Sequence, residues 1–284
     1  MATCVHCGKA KGQRDCPALG GEICARCCGK YRLTEIACPA DCRWLGGLAV
    51  LRADGPQPFT AADEDAAFRK LVRYTETARE LADGRAAFCA MLGYDRRPPD
   101  EELAQLTEEL DDHTAAAITS HLGFGHRAAD GTRAIDRMLA SHGRDLTRGE
   151  AAAMVAMQRA RGVLATVQAA QVGVGMVLRD RLAGGYLTVG TSPDDMPAMG
   201  SHLFLWVLDN AGKLVPTGPM LMIPPASIDA VEARLRDLAA GASSDEERRL
   251  VLAAAAPHVL AVLRTAAAAE AAASEAASAP PPSP

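Results

Sequence analysis

Residues 202–215 read HLFLWVLDNAGKLV, and the reading of this stretch decides the fold. The apolar run His202 to Leu208 is too short for a stable helix and predicts a strand. Asp209-Asn210-Ala211-Gly212 then predicts a hairpin turn into Lys213-Leu214-Val215. Toward the C-terminus, Thr217-Gly218-Pro219 predicts one more turn, into Met220-Leu221-Met222-Ile223. Toward the N-terminus, Val172, Val174, Met176 and Leu178 alternate with smaller or polar residues, and Gly184-Gly185 turns the chain into Tyr186-Leu187-Thr188-Val189. Five short strands joined by tight turns predict a small antiparallel β-barrel, SH3-like or OB-like, over 171–224. Phe204 and Trp206 share a strand face and are expected to fill its interior.

On either side the period changes to that of helices. Thr60-Ala61-Ala62-Asp63 reads as a capping box, and Phe68, Leu71, Val72, Ala78 and Leu81 mark the buried face that follows. A second helix is expected over 100–122, with Leu103, Leu106, Leu110, Ala117 and Ile118 on one side. Two more are expected near 128–141 and over 147–170, the latter capped by Thr147 with Glu150 three residues on. After the barrel, Ser227 and Ser244 each open a helix. The chain then passes into an Ala/Glu/Ser tract and Pro280-Pro281-Pro282, a composition that predicts disorder. The expected organisation is multidomain α+β: a cysteine-rich module over 1–54, a helical domain over 60–170, the barrel over 171–224, C-terminal helices over 225–265, and a disordered tail over 266–284.

Eight of the nine cysteines lie in the first 42 residues: Cys4, Cys7, Cys16, Cys24, Cys27, Cys28, Cys38 and Cys42. Two CxxC pairs and a CxxxC pair place thiolates at the spacings a tetrahedral metal ion requires. Eight ligands divide into two sites of four, so two zinc ions are expected. An interleaved division places Cys4, Cys7, Cys24 and Cys27 at one ion and Cys16, Cys28, Cys38 and Cys42 at the other. A sequential split, His6 in place of one sulfur, and an iron–sulfur cluster are the competing readings. About fifty residues with few large apolar side chains cannot fold on a core alone, so the metal is read as structural.

The order CxxC, lone Cys, CxxCC, CxxxC resembles the crossed binuclear zinc fingers of the HIT and MYND type. That resemblance implies a small protein-binding module over residues 4–42. The pattern departs from those families at its end, where they close with a histidine–cysteine pair and this chain with Cys38-Pro39-Ala40-Asp41-Cys42. The same segment is similar to the N-terminus of a group of uncharacterised bacterial proteins.

The formal net charge of −5 argues against a chain that coats nucleic acid as a whole. The first 55 residues nevertheless carry about +3, which eight thiolates around two zinc ions would roughly cancel. Abundant alanine and arginine point to a GC-rich bacterial source and to helices packed through small side chains. No signal-peptide pattern opens the sequence and no run is apolar enough to span a membrane, so a cytoplasmic location is expected, where thiols serve as ligands and not as disulfides.

No reaction signature emerges. Gly173-Val174-Gly175 lacks the third glycine of a dinucleotide fingerprint, and no GxSxG, P-loop or HExxH pattern is present. His113, with Glu109 four residues before it and His121 eight after it, could share a helix face and bind a metal. Together with His126 and His142, however, these histidines read as scattered surface or core residues, and Cys89 as a buried thiol in an apolar helix. The expectation is a zinc-binding adaptor that docks a protein partner. The alternatives are nucleic-acid binding through the basic module and the barrel, or a zinc- and redox-responsive regulator.

Overall fold

The computed structural model describes residues 2–32, 35–39, 42–45, 55–75, 89, 99, 101, 112–128, 130–172, 174–190 and 196–278. Ala78, Leu81, Leu103, Leu106, Glu109, Leu110, Gly173 and the proline run at 280–282 lie outside the described residues.

The N-terminal segment folds as a hairpin of β1 (Arg14–Cys16) and β2 (Gly21–Ile23), followed by α1 (Ala25–Tyr31). Helix α2 (Ala61–Thr75) opens on the expected box: Asp63 N–H donates to Thr60 Oγ1 at 3.2 Å, and Thr60 N–H to Asp63 Oδ2 at 2.9 Å. Then come α3 (Asp112–Ser120), a π-turn (His121–Gly125), α4 (Ala134–His142) and α5 (Arg148–Gln158). The π-turn closes through His126 N–H to the His121 carbonyl at 2.6 Å. Arg133, buried, braces it by donating to the carbonyls of Phe124 (3.3 Å) and Gln158 (2.9 Å) while pairing with Asp136 at 2.8 Å.

The helix expected over 147–170 is correctly capped by Thr147 and Glu150, but it ends at Gln158. The chain becomes β3 (Arg161–Gln171) instead, and β4 (Gly175–Asp180), β5 (Tyr186–Val189), β6 (His202–Asn210) and β7 (Lys213–Ile223) follow. These five close a barrel in the order β3-β4-β5-β7-β6. Four pairings are antiparallel, and the fifth, β5 with β7 through Val189 and Leu214, is parallel. The expected turn at Thr217-Gly218-Pro219 is an irregularity within β7: Phe204 faces Leu221 while Trp206 faces Thr217. The hairpin turn at 211–212 is as expected, with Gly212 N–H donating to Asp209 Oδ1 at 2.7 Å. Ala211 there holds φ of 51°, the left-handed region.

Phe204 and Trp206 do not fill the barrel. Its interior is packed by Val163, Ala165, Val167, Met176, Leu178, Val189, Leu203, Leu205 and Val207. Phe204, Trp206 and Leu208 point the other way, into one core shared with α2, α4 and α5. Strand β6 is buried on both faces, so alternation does not reveal which residues point inward. Trp206 meets Phe124 and Phe204 edge-on at 5.6 and 5.5 Å. Helix α5 is enclosed on nearly every side, from Ala151 through Met157, as its run of alanines allows.

The C-terminal helices α6 (Ile228–Ala240), α7 (Asp245–Ala253) and α8 (Ala256–Ser278) cover the barrel's outer face. Trp206 Nε1 donates to the carbonyl of Ala253 at 2.8 Å, satisfying an otherwise orphaned group at the end of α7. Gly162 permits this approach, since a Cβ there would collide with the carbonyl of Leu252. Ser244 caps α7 as expected, but Ser227 makes no capping bond to α6. The Ala/Glu/Ser tract, expected to be disordered, continues α8 to Ser278. Alanine's helix propensity sustains the helix where burial is slight. Among the described residues, no single helix is long and apolar enough to cross a membrane.

Candidate metal centre

The N-terminal segment is organised around sulfur. Gly8 N–H donates to the Cys4 carbonyl at 2.8 Å, closing the turn that carries Cys4 and Cys7. Gly8 sits at φ of 63°, a conformation glycine adopts without strain. Val5 N–H donates to the Glu22 carbonyl at 2.9 Å and ties this turn to β2. The hairpin pairs Arg14 with Ile23 and Cys16 with Gly21, and delivers the chain to Cys24. Cys24 is the N-cap of α1, and its Sγ accepts from Cys27 N–H at 3.4 Å.

These two turns bring the Sγ atoms of Cys4, Cys7, Cys24 and Cys27 within 4.8 Å of one another. A tetrahedral zinc–thiolate site with bonds of about 2.3 Å has sulfur–sulfur edges of about 3.8 Å, so modest contraction closes the four around one ion. Cys4, Cys24 and Cys27 are buried and Cys7 half-buried. Among the described residues this is the only such gathering of histidine, cysteine or carboxylate donors.

The electrostatics of the four thiols diverge. Burial, with the facing thiols of Cys24, Cys7 and Cys4, pushes Cys27 up to about 12. Burial opposes ionisation of Cys4 too, but backbone N–H groups of Cys24, Cys7 and His6 bring it down to about 6. Amides of Lys9 and Ala10 lower Cys7. The fold thus aims donors at sulfur, while the thiols resist joint ionisation unless a cation sits among them. A closed set of four sulfurs leaves no open coordination position, which fits a structural ion and not a catalytic one.

The remaining four sequence candidates are placed differently. Cys16 ends β1, Cys28 lies on α1, and Cys38 and Cys42 follow in irregular chain. Cys16, Cys28 and Cys38 belong to the same small buried cluster as the first set and Cys42 packs against it, but no second gathering within the same distance forms among the described residues. Arg14 Nη1 donates to Cys28 Sγ at 3.4 Å. His6 is not among the converging donors: it stacks on Tyr31 at 4.5 Å and approaches Glu35 at 3.9 Å. Cys89 is buried, as expected.

Sequence reasoning did not find the β1–β2 hairpin or the amides of Lys9 and Ala10. The glycine directly after Cys7 is the local signal for that turn. No known family model matches this chain, and no match emerges among curated proteins or solved structures.

Proposed function

We propose that the N-terminal module is a structural zinc module that serves a non-catalytic adaptor in the cytoplasm by docking a protein partner. The observation that carries the metal reading is the convergence of Cys4, Cys7, Cys24 and Cys27. Cys16, Cys28, Cys38 and Cys42 are proposed to hold a second zinc, supported by their place in the same buried cluster. On this reading zinc supplies the cross-link for the module, and Arg14 offsets charge at Cys28. The docking reading is supported by Val5 and Leu19, which expose about half and two-fifths of their surface (50% and 41%) on the same module. The closed barrel, taken as an SH3-like or OB-like scaffold, would carry a second contact surface.

A second reading has one observation in its favour. Arg14 and Arg43 lie over the Trp44 ring at 5.0 and 4.9 Å, and Lys30 over Tyr31 at 4.8 Å. Cations interleaved with aromatics suit the backbone and bases of single-stranded nucleic acid. Salt-sensitive retention on immobilised single-stranded DNA would favour it over the adaptor reading.

Elemental analysis with a visible absorption spectrum of native protein tests the metal. Two zinc per chain and no colour are expected; iron with a brown spectrum would overturn the structural module. Cys28→Ser should lose about half of the bound metal, and unchanged content would refute the interleaved assignment.

A further inference from the structure

Helices α7 and α8 meet at a bend of 49°. A cleft of about 670 Å³ lies along the inside of that elbow, facing the π-turn. One wall is hydrocarbon, from Leu250, Val251, Ala254, Pro257 and Ala261. Nitrogen groups complete the lining, from His121, His126 and Arg127 at the π-turn and from His258 on α8.

His121 is only 5% exposed, and its Nδ1 has no hydrogen-bond partner. A buried polar atom without a partner is rare and calls for an explanation. The π-turn sets the ring there with Nδ1 covered, and Gly125 leaves room beside it: a Cβ on Gly125 would stand 3.0 Å from Nδ1 and 2.9 Å from the Ala253 carbonyl. Burial and the neighbouring imidazoles of His126 and His258 push the His121 pKa down to about 3, so the ring is a neutral hydrogen-bonding group.

His258 stands where the two walls join. Its Nδ1 lies 3.2 Å from Arg234 Nη2. A guanidinium only donates, so Nδ1 accepts and the neutral ring carries its proton on Nε2. The cleft also takes in the first turn of α8, the positive end of that helix dipole. Arg127 is exposed at the rim. The carboxylate at this rim, Glu247, accepts from the N–H and hydroxyl of Ser243 at 2.7 and 2.6 Å. The Arg127 guanidinium faces both Glu247 and Glu246, so an incoming anion shares Arg127 with them.

Neutral imidazoles, an exposed guanidinium and a helix N-terminus, set opposite hydrocarbon, match an anion with an apolar body. We propose that this cleft binds a small apolar carboxylic acid, its carboxylate received by His121, His258 and Arg127 and its chain lying along Leu250, Val251 and Ala254. A metal cation fits poorly, because Arg127, Arg234 and the helix end are all positive. A polyphosphate fits poorly against so apolar a wall.

Octanoate and octan-1-ol serve as matched probes on the full chain, by calorimetry and by NMR of the histidine imidazoles. Octanoate should bind saturably and shift the His121 resonances, with octan-1-ol about tenfold weaker. Arg127→Gln, a surface change that spares the fold, should weaken octanoate about tenfold, and Val251→Trp should abolish binding by filling the cleft. No saturable binding, equal binding of the alcohol, or octanoate binding indifferent to both variants would overturn the proposal.

Discussion

The N-terminal module and the barrel with its helices solve the same problem with different materials. In the module, six of the nine buried cluster residues are cysteines, joined by Ile23, Ile36 and Leu45. Among the described residues, the core around α5 and the outer face of the barrel contains no cysteine and is built largely from alanine, leucine, methionine and aromatics, with Trp206 edge-on to both Phe124 and Phe204. Thiols bury little area and repel one another when ionised, so they stabilise a fold chiefly when a metal joins them. The second region draws on ordinary hydrophobic burial and close packing. The module should therefore depend on its metal supply and the barrel region should not.

Removing metal should have the largest effect. A strong chelator, or Cys27→Ser, should unfold residues 2–45 and leave the barrel protected, as read by hydrogen exchange with mass spectrometry. If both regions lost protection together, or neither did, the contrast would fail. Trp206→Ala should act in the opposite place, costing the barrel region about 3–5 kcal/mol in urea unfolding through a cavity and an orphaned Ala253 carbonyl. Its metal content should not change.

A smaller and pH-dependent effect is expected at Glu150. Burial pushes its carboxyl up, but Lys70 at 2.7 Å and the Thr147 N–H outweigh this and hold it below the ordinary carboxylate value. The folded state thus binds its proton less readily than the unfolded chain. The stabilisation is complete above the unfolded carboxylate range and is lost as pH falls through the lowered folded value. Lys70→Met should cost about 1–2 kcal/mol near neutral pH, discounted because Lys70 is partly exposed, and should flatten the acid limb of stability. The smallest change concerns the hairpin. Ala211→Gly should raise stability by about 0.5–1 kcal/mol by relieving a left-handed alanine, seen as a small rise in the urea midpoint.

What the sequence discloses follows the same divide. Metal ligation is local: CxxC spacing alone pairs Cys4 with Cys7 and Cys24 with Cys27, and the fold then joins the two pairs. Cys16, Cys28, Cys38 and Cys42 come from a strand, a helix and irregular chain, so spacing alone does not show whether they meet, and Ala40 and Asp41 between the last two lie outside the described residues. In the barrel, the errors fall on segments buried on both sides. Strand β3 sets Val163, Ala165 and Val167 inward and Leu164 outward against the helices, so it lacks alternation and continues the apolar pattern of α5. Thr217-Gly218-Pro219 makes the single strand β7 read as two, which offsets the absence of β3 from the expected five. The end of α8 shows that a composition unable to build a core can still coil into a helix as far as Ser278.

The chain has two tryptophans, and one falls in each region. Trp206 is fully enclosed, with its indole held by a carbonyl, whereas Trp44 is half-covered and lies within 5.0 Å of two guanidinium groups, its Nε1 donating to the Asp15 carbonyl at 3.1 Å. Their emission should differ accordingly, blue-shifted from the dry site and red-shifted from the wet one. Intrinsic fluorescence therefore reports on the two regions separately, with no label added: loss of the red component follows the thiolate module, and loss of the blue one follows the barrel.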